Sequence, residues 1–401
     1  MKAKWTIHSV LLAVIIVLLT GCWNSRELQE LAIVSAIGID IVPDSNEYRV
    51  TFQVINPATI STTMGGGGSS GNIAPVTIYS GTDHTVFGAL RRTSQKVPRQ
   101  LFFAHSQLLV IGESLAKSGM NELFDLFDRS HEIRLNSTVL VSRGSDAQST
   151  LSLLGPLEKV PAHGIVGRSK ITSEIWAENI EVQIIDLIQS LTGVSESVIS
   201  GIRIIGNAEE AGKLANLEET KLKPYLSMSG IALFKDGKLK KWMDGPEARG
   251  TTWIRDEMKG TSINIDCKEI KEGIAVEIIL SKTKTSVEFH QGSPIFHIHI
   301  QEEGNLTETK CPIDFSKREE IKKLDEELSK VTKKEVTKAI NAAQKQKSDI
   351  FDFGGILKRT DPKAWKEVEK DWDTLFAKGK VDVQVDAFIR RTGMRMKPYM
   401  K

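Results

Sequence analysis

The most specific chemistry in this chain is carried by four consecutive residues, Leu19-Thr20-Gly21-Cys22. A cysteine thiol placed directly after small residues and an apolar run can take a thioether-linked diacylglyceryl group. Small Thr20 and Gly21 let a peptidase approach the backbone. The preceding residues fit a secretory signal: basic Lys2 and Lys4, then an apolar run from Val10 to Leu19. The tetrad resembles a bacterial lipobox, with cleavage between Gly21 and Cys22 and Cys22 becoming S-diacylglycerol cysteine, open to further N-acylation with a chain such as palmitate. A membrane-spanning reading fits less well. The uncharged stretch Trp5–Gly21 has 17 residues, the short limit of a span of about 17–25, and no basic flank follows it. An ordinary signal peptide would end in a small-x-small site, which is not evident. Two acyl chains anchor firmly, at about 0.8 kcal/mol per buried CH₂, so everything after Cys22 is expected to be a body tethered outside the cytoplasm.

Other spacings are weaker. Gly206-Asn-Ala-Glu-Glu-Ala-Gly212-Lys213 has the P-loop interval, but Leu214 stands where a magnesium-binding hydroxyl belongs, and Glu209 and Glu210 would repel phosphate. Gly65-Gly-Gly-Gly68 is read as a flexible insertion, with no helix signature after it to complete a phosphate cradle. His297 and His299 lie two apart in a predicted strand and share a face, with His290 as a possible third metal ligand. No acidic or cysteine partner stands at fixed spacing, which favours a solvated strand face. His105 with Arg129, His131, Glu132 and Arg134 is read as structural ion pairing before a ligand surface. Trp242, Trp253, Trp365 and Trp372 are read as core, and Trp23 beside the anchor suits the headgroup level. No catalytic triad, cofactor motif or metal-ligand set emerges, so no catalytic, cofactor-binding or metal residue is assigned. Cys267 and Cys311 are the two cysteines left after Cys22. An oxidising location permits their pairing, and the sequence alone does not decide it.

Composition is that of a globular chain, 40% hydrophobic and 26% charged. Without Lys2 and Lys4 the 53 basic residues fall to 51, equal to the 51 acidic ones. That balance argues against nucleic acid as a partner. The pattern of elements predicts α+β architecture in more than one domain. Residues 1–21 are the signal, 22–206 a mixed-sheet N-terminal α/β-type domain, 207–225 a linker, and 226–401 a C-terminal α+β domain that can subdivide to give three in all. In the first part, a hairpin runs over Leu31–Val42 and Tyr48–Ile55. Asp83–Lys96, Glu113–Phe127 and Ile171–Leu191 read as helices, and Leu101–Ile111 reads as one strand. In the second part, Asp236-Gly237 is a hairpin signal opening an antiparallel meander that continues to Gln301. Ser316–Lys345 reads as a long helix with Ile321, Leu324, Leu328, Val331, Ala339, Ile340 and Ala343 on its apolar side, expected to lie on that meander. Ser348–Lys358 reads as a Gly/Phe loop, Pro362–Phe376 as a helix, and Val381–Ile389 as a closing strand.

In order along the chain come Cys22-Trp-Asn-Ser-Arg-Glu-Leu28, Gly38-Ile-Asp40, Pro98-Arg-Gln-Leu101, Ile111-Gly-Glu113, Gly230-Ile-Ala-Leu-Phe-Lys235, Trp242, Glu247 and Arg249-Gly250. Asp349-Ile-Phe351, Phe353-Gly354, Trp365, Trp372 and Phe376 follow. Together these blocks resemble the Ger(x)C family, the lipoprotein C subunits of spore germinant receptors, over nearly the whole mature chain. One departure is Asp352, where the family pattern leads one to expect glycine. The resemblance implies a non-enzymatic, lipid-anchored subunit on the outer-leaflet side of the spore inner membrane. It would work beside A-type and B-type membrane subunits in triggering germination. Cys22 is the one functional residue it transfers. A solute-binding lipoprotein serving a transporter is the alternative; such proteins usually have two similar lobes, and this chain lacks matching halves.

Overall fold

The computed structural model describes residues 4–5, 8, 27–60, 73–129, 133–210, 212–217, 220, 224–267 and 270–393. Gly21, Cys22, Trp23, Gly65–Gly68, His131 and Glu132 therefore lie outside the described residues.

Two sheets organise the body. The first contains β1 (Leu31–Ile41), β2 (Tyr48–Ile55), β3 (Val76–Asp83), β4 (Gln100–Phe102), β5 (Leu108–Gly112), β6 (Thr138–Ser142), β7 (Val198–Ile205), β8 (Tyr225–Lys235) and β9 (Lys238–Met243). Its order is β3-β2-β1-β5-β6-β7-β8-β9, with β4 paired to the start of β1. The central run β1-β5-β6-β7 is parallel, and the flanking strands are antiparallel. The second sheet is β10 (Thr261–Cys267), β11 (Ile270–His290), β12 (Ser293–Thr309) and β13 (Lys380–Arg391). Its first three strands form the meander, and β13 returns parallel to β12. The expected α+β class, with a mixed N-terminal sheet and a C-terminal meander under a long helix, is what the chain adopts.

Several expected elements are divided, for local reasons. The strand expected over Leu101–Ile111 is two, because Phe103 turns inward onto Phe52, ring centroids 5.3 Å apart, and a turn closes at Ser106. The helix expected over Glu113–Phe127 breaks at Gly119, whose φ of 135° ends the first turn, leaving Glu113–Ser118 and Asn121–Arg129. The apolar run from Ile171 to Leu191 is also two helices, Pro161–Ile175 and Ile184–Thr192. Between them Ala177 is left-handed, and Val182 accepts from the Val139 N–H in extended chain. The hairpin of β8 and β9 turns at Asp236-Gly237 as expected, both with positive φ. It does not open the meander, however. Ile202 pairs with Met228 and Ile204 with Leu226, so strands on both sides of 207–225 share the first sheet. By sheet membership the chain divides after β9.

The segment that crosses between the sheets is α1 (Pro246–Ile254), which follows β9 and docks its end on β11, where the Thr283 hydroxyl donates to the Trp253 carbonyl at 2.6 Å. The long helix is α2 (Arg318–Lys345). It buries Leu324, Leu328, Val336, Ala339, Ile340 and Ala343. Gly250 of α1 meets α2 so closely that a Cβ there would stand 2.4 Å from the Glu335 carbonyl. One continuous core joins the sheets through Phe52, Ile111, Trp253, Phe296, Val336 and Phe353. After α2 come α3 (Phe353–Thr360), α4 (Pro362–Val368) and α5 (Trp372–Lys378), where a loop and a single helix were expected. Asp361 caps α4 through the Ala364 N–H, and Pro362 takes the first helical position, where its missing N–H costs nothing.

Candidate functional site

The residues singled out for chemistry are not brought together. Gly206 turns the chain after β7 at a φ of 108°, and among the described residues two short 3-10 turns, Ala208–Glu210 and Leu214–Leu217, follow where a P-loop needs an α-helix. His297 and His299 do share the outer face of β12, but each is matched to an aspartate of β13: Asp382 at 3.4 Å and Asp386 at 2.7 Å. His290 pairs with Glu288. Among the described residues no group of three or more ligands stands in position to hold a metal. Arg129 bonds Asp125 one helical turn away at 2.8 Å, and His105 stacks edgewise on Phe102. Trp253, Trp365 and Trp372 are buried, the last two in edge contact at 5.4 Å. Cys267 and Cys311 form a disulfide across 44 residues, Cα atoms 6.5 Å apart. Gly273 lies against both sulfurs, where a Cβ would stand within 3 Å of each.

What the fold does assemble is a set of buried polar centres. Asp40, at the end of β1, accepts the Ala147 N–H at 2.7 Å and the Gln148 N–H at 3.3 Å at the start of the helix Ala147–Ser152. Burial pushes its carboxyl up to about 6, against those two hydrogen bonds. Glu113, just after β5, accepts the Trp242 indole at 3.1 Å, the Gly144 N–H at 2.6 Å and Lys117 at 2.9 Å. Burial opposes its charge, but these partners outweigh it and hold the carboxyl below its usual range. Arg143 lies over the Trp242 ring at 4.6 Å and pairs with Asp244 through Nη1 and Nη2.

The turn after α2 is built on Asp349, which is fully buried. It accepts the N–H groups of Phe351 and Phe353 at 3.2 Å and of Gly354 at 2.7 Å, and the Trp372 indole at 3.0 Å. The same turn ties back to the first sheet, with the Ser348 hydroxyl on the Phe234 carbonyl at 2.5 Å and the Glu196 N–H on the Asp349 carbonyl at 2.9 Å. Asp352 sits in the left-handed region at φ 62°, which explains why a glycine is expected there.

Between the sheets, Arg249 of α1 reaches Glu335 of α2 through Nε at 3.0 Å and Glu178 through Nη1 at 2.8 Å. Beside this clamp stands Glu302 of β12, fully buried, with one oxygen accepting the Thr332 hydroxyl at 2.7 Å.

Two family models match the chain: a spore germination protein N-terminal domain over residues 24–204, and a spore germination B3/GerAC-like C-terminal domain over residues 229–393. The chain belongs to this GerAC-like spore germination family. Spore germination protein KC of Bacillus subtilis (strain 168) is 32% identical, over 97% of this chain and 96% of that protein. Spore germination proteins YndF and B3 of the same organism are 25% and 23% identical, each over 90% or more of both chains. The crystal structure of the GerBC protein superimposes with a TM-score of 0.54 at 18% identity, covering 88% of this chain and 96% of that one, a likeness of fold alone.

Several of the blocks that resemble the family fall on the centres just described. Asp40, Glu113, Trp242, Arg249-Gly250, Asp349 and Trp372 are the buried or half-buried points where elements cross. In this GerAC-like chain they hold the fold. Sequence reading passed over Glu302, although a signal for it exists. Phe296, Ile298 and Ile300 alternate inward along β12, and the same phase carries Glu302 into the core.

Proposed function

We propose that this protein is the lipid-anchored, non-enzymatic C subunit of a nutrient germinant receptor, acting in the triggering of spore germination. The observation that carries the reading is that the family match spans both halves of the chain directly behind a lipobox. The relatives are themselves named spore germination proteins. Cys22 would be the S-diacylglycerol cysteine, exposed by cleavage after Gly21, and the body would stand on the extracytoplasmic face of the spore inner membrane. No helix among the described residues is long and apolar enough to cross a membrane. The attachment proposed is the lipid on Cys22. Confinement to that surface raises the effective concentration toward A-type and B-type membrane subunits without new contacts. Nutrient binding is assigned to the membrane subunits, and this chain couples to them.

Metabolic labelling with radioactive palmitate tests the anchor. The wild-type chain is expected to take the label and sediment with membranes, and Cys22→Ala to lose both. A Cys22→Ala chain that stays in the membrane and supports normal germination contradicts the reading. Calorimetry with amino acids and sugars tests the rival, since tight binding to this chain alone would favour a solute-binding lipoprotein.

A further inference from the structure

Three buried polar atoms without a partner among the described residues converge at one place between the sheets. They are Glu302 Oε2, the Trp253 indole nitrogen and Ser281 Oγ. Ser281 is the cross-strand neighbour of Glu302 in the β11–β12 register, so both side chains point inward side by side. The Trp253 indole, from α1, faces the same carboxyl. The indole can only donate and a carboxylate can only accept. The indole N–H therefore does not suit a cation, and as a donor to the carboxyl it favours the charged form; what opposes that form is burial. Burial outweighs the two donors that favour the charged form, the Thr332 hydroxyl and the facing indole, so a carboxylate here is costly and protonation removes the cost.

The surroundings reinforce this. From α2, Thr332 bonds the other oxygen and Glu335 adds a like charge. From α1, Arg249 spends its guanidinium on Glu335 and Glu178, leaving no cation for Glu302. Lys338 acts on Glu335. β11 contributes Ser281 and Thr283, while Lys282 pairs with Asp256 at the rim. β13 places Ala387 opposite Glu302, with its own Asp386 and Arg390 committed to His299 and Glu303. Asp325, farther along α2, accepts the Ile389 N–H.

We propose that Glu302 is a proton-binding site at the junction of the two sheets, which keeps α1 packed on β11, β12 and α2 when protonated and loosens that packing when ionised. The proton leaves to solvent, and the new carboxylate stands beside Glu335, whose only strong counter-ion is already shared. Since α1 is the segment linking β9 to β10, the titration acts on the connection between the sheets.

The test is the indole ¹H–¹⁵N signal of Trp253, in the full chain in detergent micelles, followed from pH 6 to 10 and identified by its loss in Trp253→Phe. Burial pushes the Glu302 carboxyl up to about 8, so the wild-type signal is expected to shift with a midpoint near that value. Glu302→Gln should hold it constant. Thr332→Val removes a hydrogen bond that favours the charged form and should raise the midpoint by about one pH unit. Amide exchange of α1, corrected for intrinsic rates, should quicken about tenfold between pH 7 and 9 in the wild type and not in Glu302→Gln. A flat wild-type signal, a titration that survives Glu302→Gln, or α1 exchange equal in both proteins would overturn the proposal. Should Glu302→Gln not fold, an unchanged midpoint in Thr332→Val overturns it.

Discussion

Asp349 and Glu302 are both fully buried carboxyls on the C-terminal side of the chain, yet their surroundings tolerate charge to different degrees. Asp349 collects four donors, three backbone N–H groups and the Trp372 indole. Glu302 has one hydroxyl, and its second oxygen has no partner among the described residues. Burial raises both, Asp349 to about 6 and Glu302 to about 8. The donors around Asp349 hold it closer to its ordinary range than the fewer donors around Glu302 do. The comparison teaches that burial alone does not fix protonation; the count of donors aimed at the group does.

Four experiments press on that contrast. Asp349→Ala has the largest expected effect, about 3–5 kcal/mol of lost stability, because it strands several buried donors at once. Denaturant unfolding measures it, and a loss under 1 kcal/mol would mean that the turn does not depend on its carboxylate. Removing the disulfide with paired Cys267→Ala and Cys311→Ala should cost about 2–4 kcal/mol through the freed 44-residue loop. Hydrogen exchange should place that loss in β10–β12 and leave the Asp349 turn protected, separating the two regions.

The third is a pH effect. The folded pKa of Glu302, about 8, lies above its ordinary 4.5, so its contribution is full below pH 4.5 and is lost as pH rises through 8. Between pH 7 and 9 the loss amounts to about 1 kcal/mol. Asp349, raised from 3.8 to about 6, has nearly completed its own loss by pH 7. Chemical denaturation of wild type and Glu302→Gln at the two pH values checks this. A slope that persists undiminished in Glu302→Gln would assign it to other groups. The smallest effect is expected from Asp352→Gly, a gain of at most about 1 kcal/mol in thermal or denaturant stability from relief of the left-handed backbone. A large loss would show that the Asp352–Arg359 pair, at 2.9 Å, matters more than the backbone.

Much of this was legible in the residues. The lipobox reading of residues 19–22 lies outside the described residues and stays a proposal. The period-two pattern of β12 and β13 and the apolar stripe of α2 are local signals, and the structure keeps them. Asp236-Gly237 marks its turn because both residues must take positive φ. What escaped reading depends on distant partners. Nothing local says that β8 pairs with β7 and leaves β10 to begin another sheet. The breaks at Gly119 and Ala177 were hidden because apolar residues continue across them, Ile180 and Val182 packing in extended chain. The meeting of Cys267 with Cys311 depends on how the start of β11 brings the end of β10 beside the end of β12. Glu302 was passed over because a glutamate in a strand is ordinarily read as solvated, and only its phase against Ile298 and Ile300 says otherwise.

Both buried carboxyls belong to a body whose proposed task is to stand beside membrane subunits, and capture from spore inner membrane tests that directly. With a C-terminally tagged chain solubilised in mild detergent, the A-type and B-type receptor subunits are expected to co-purify, and to be recovered far less with Cys22→Ala. Repeated recovery of the membrane-bound wild-type chain without either subunit would contradict the account.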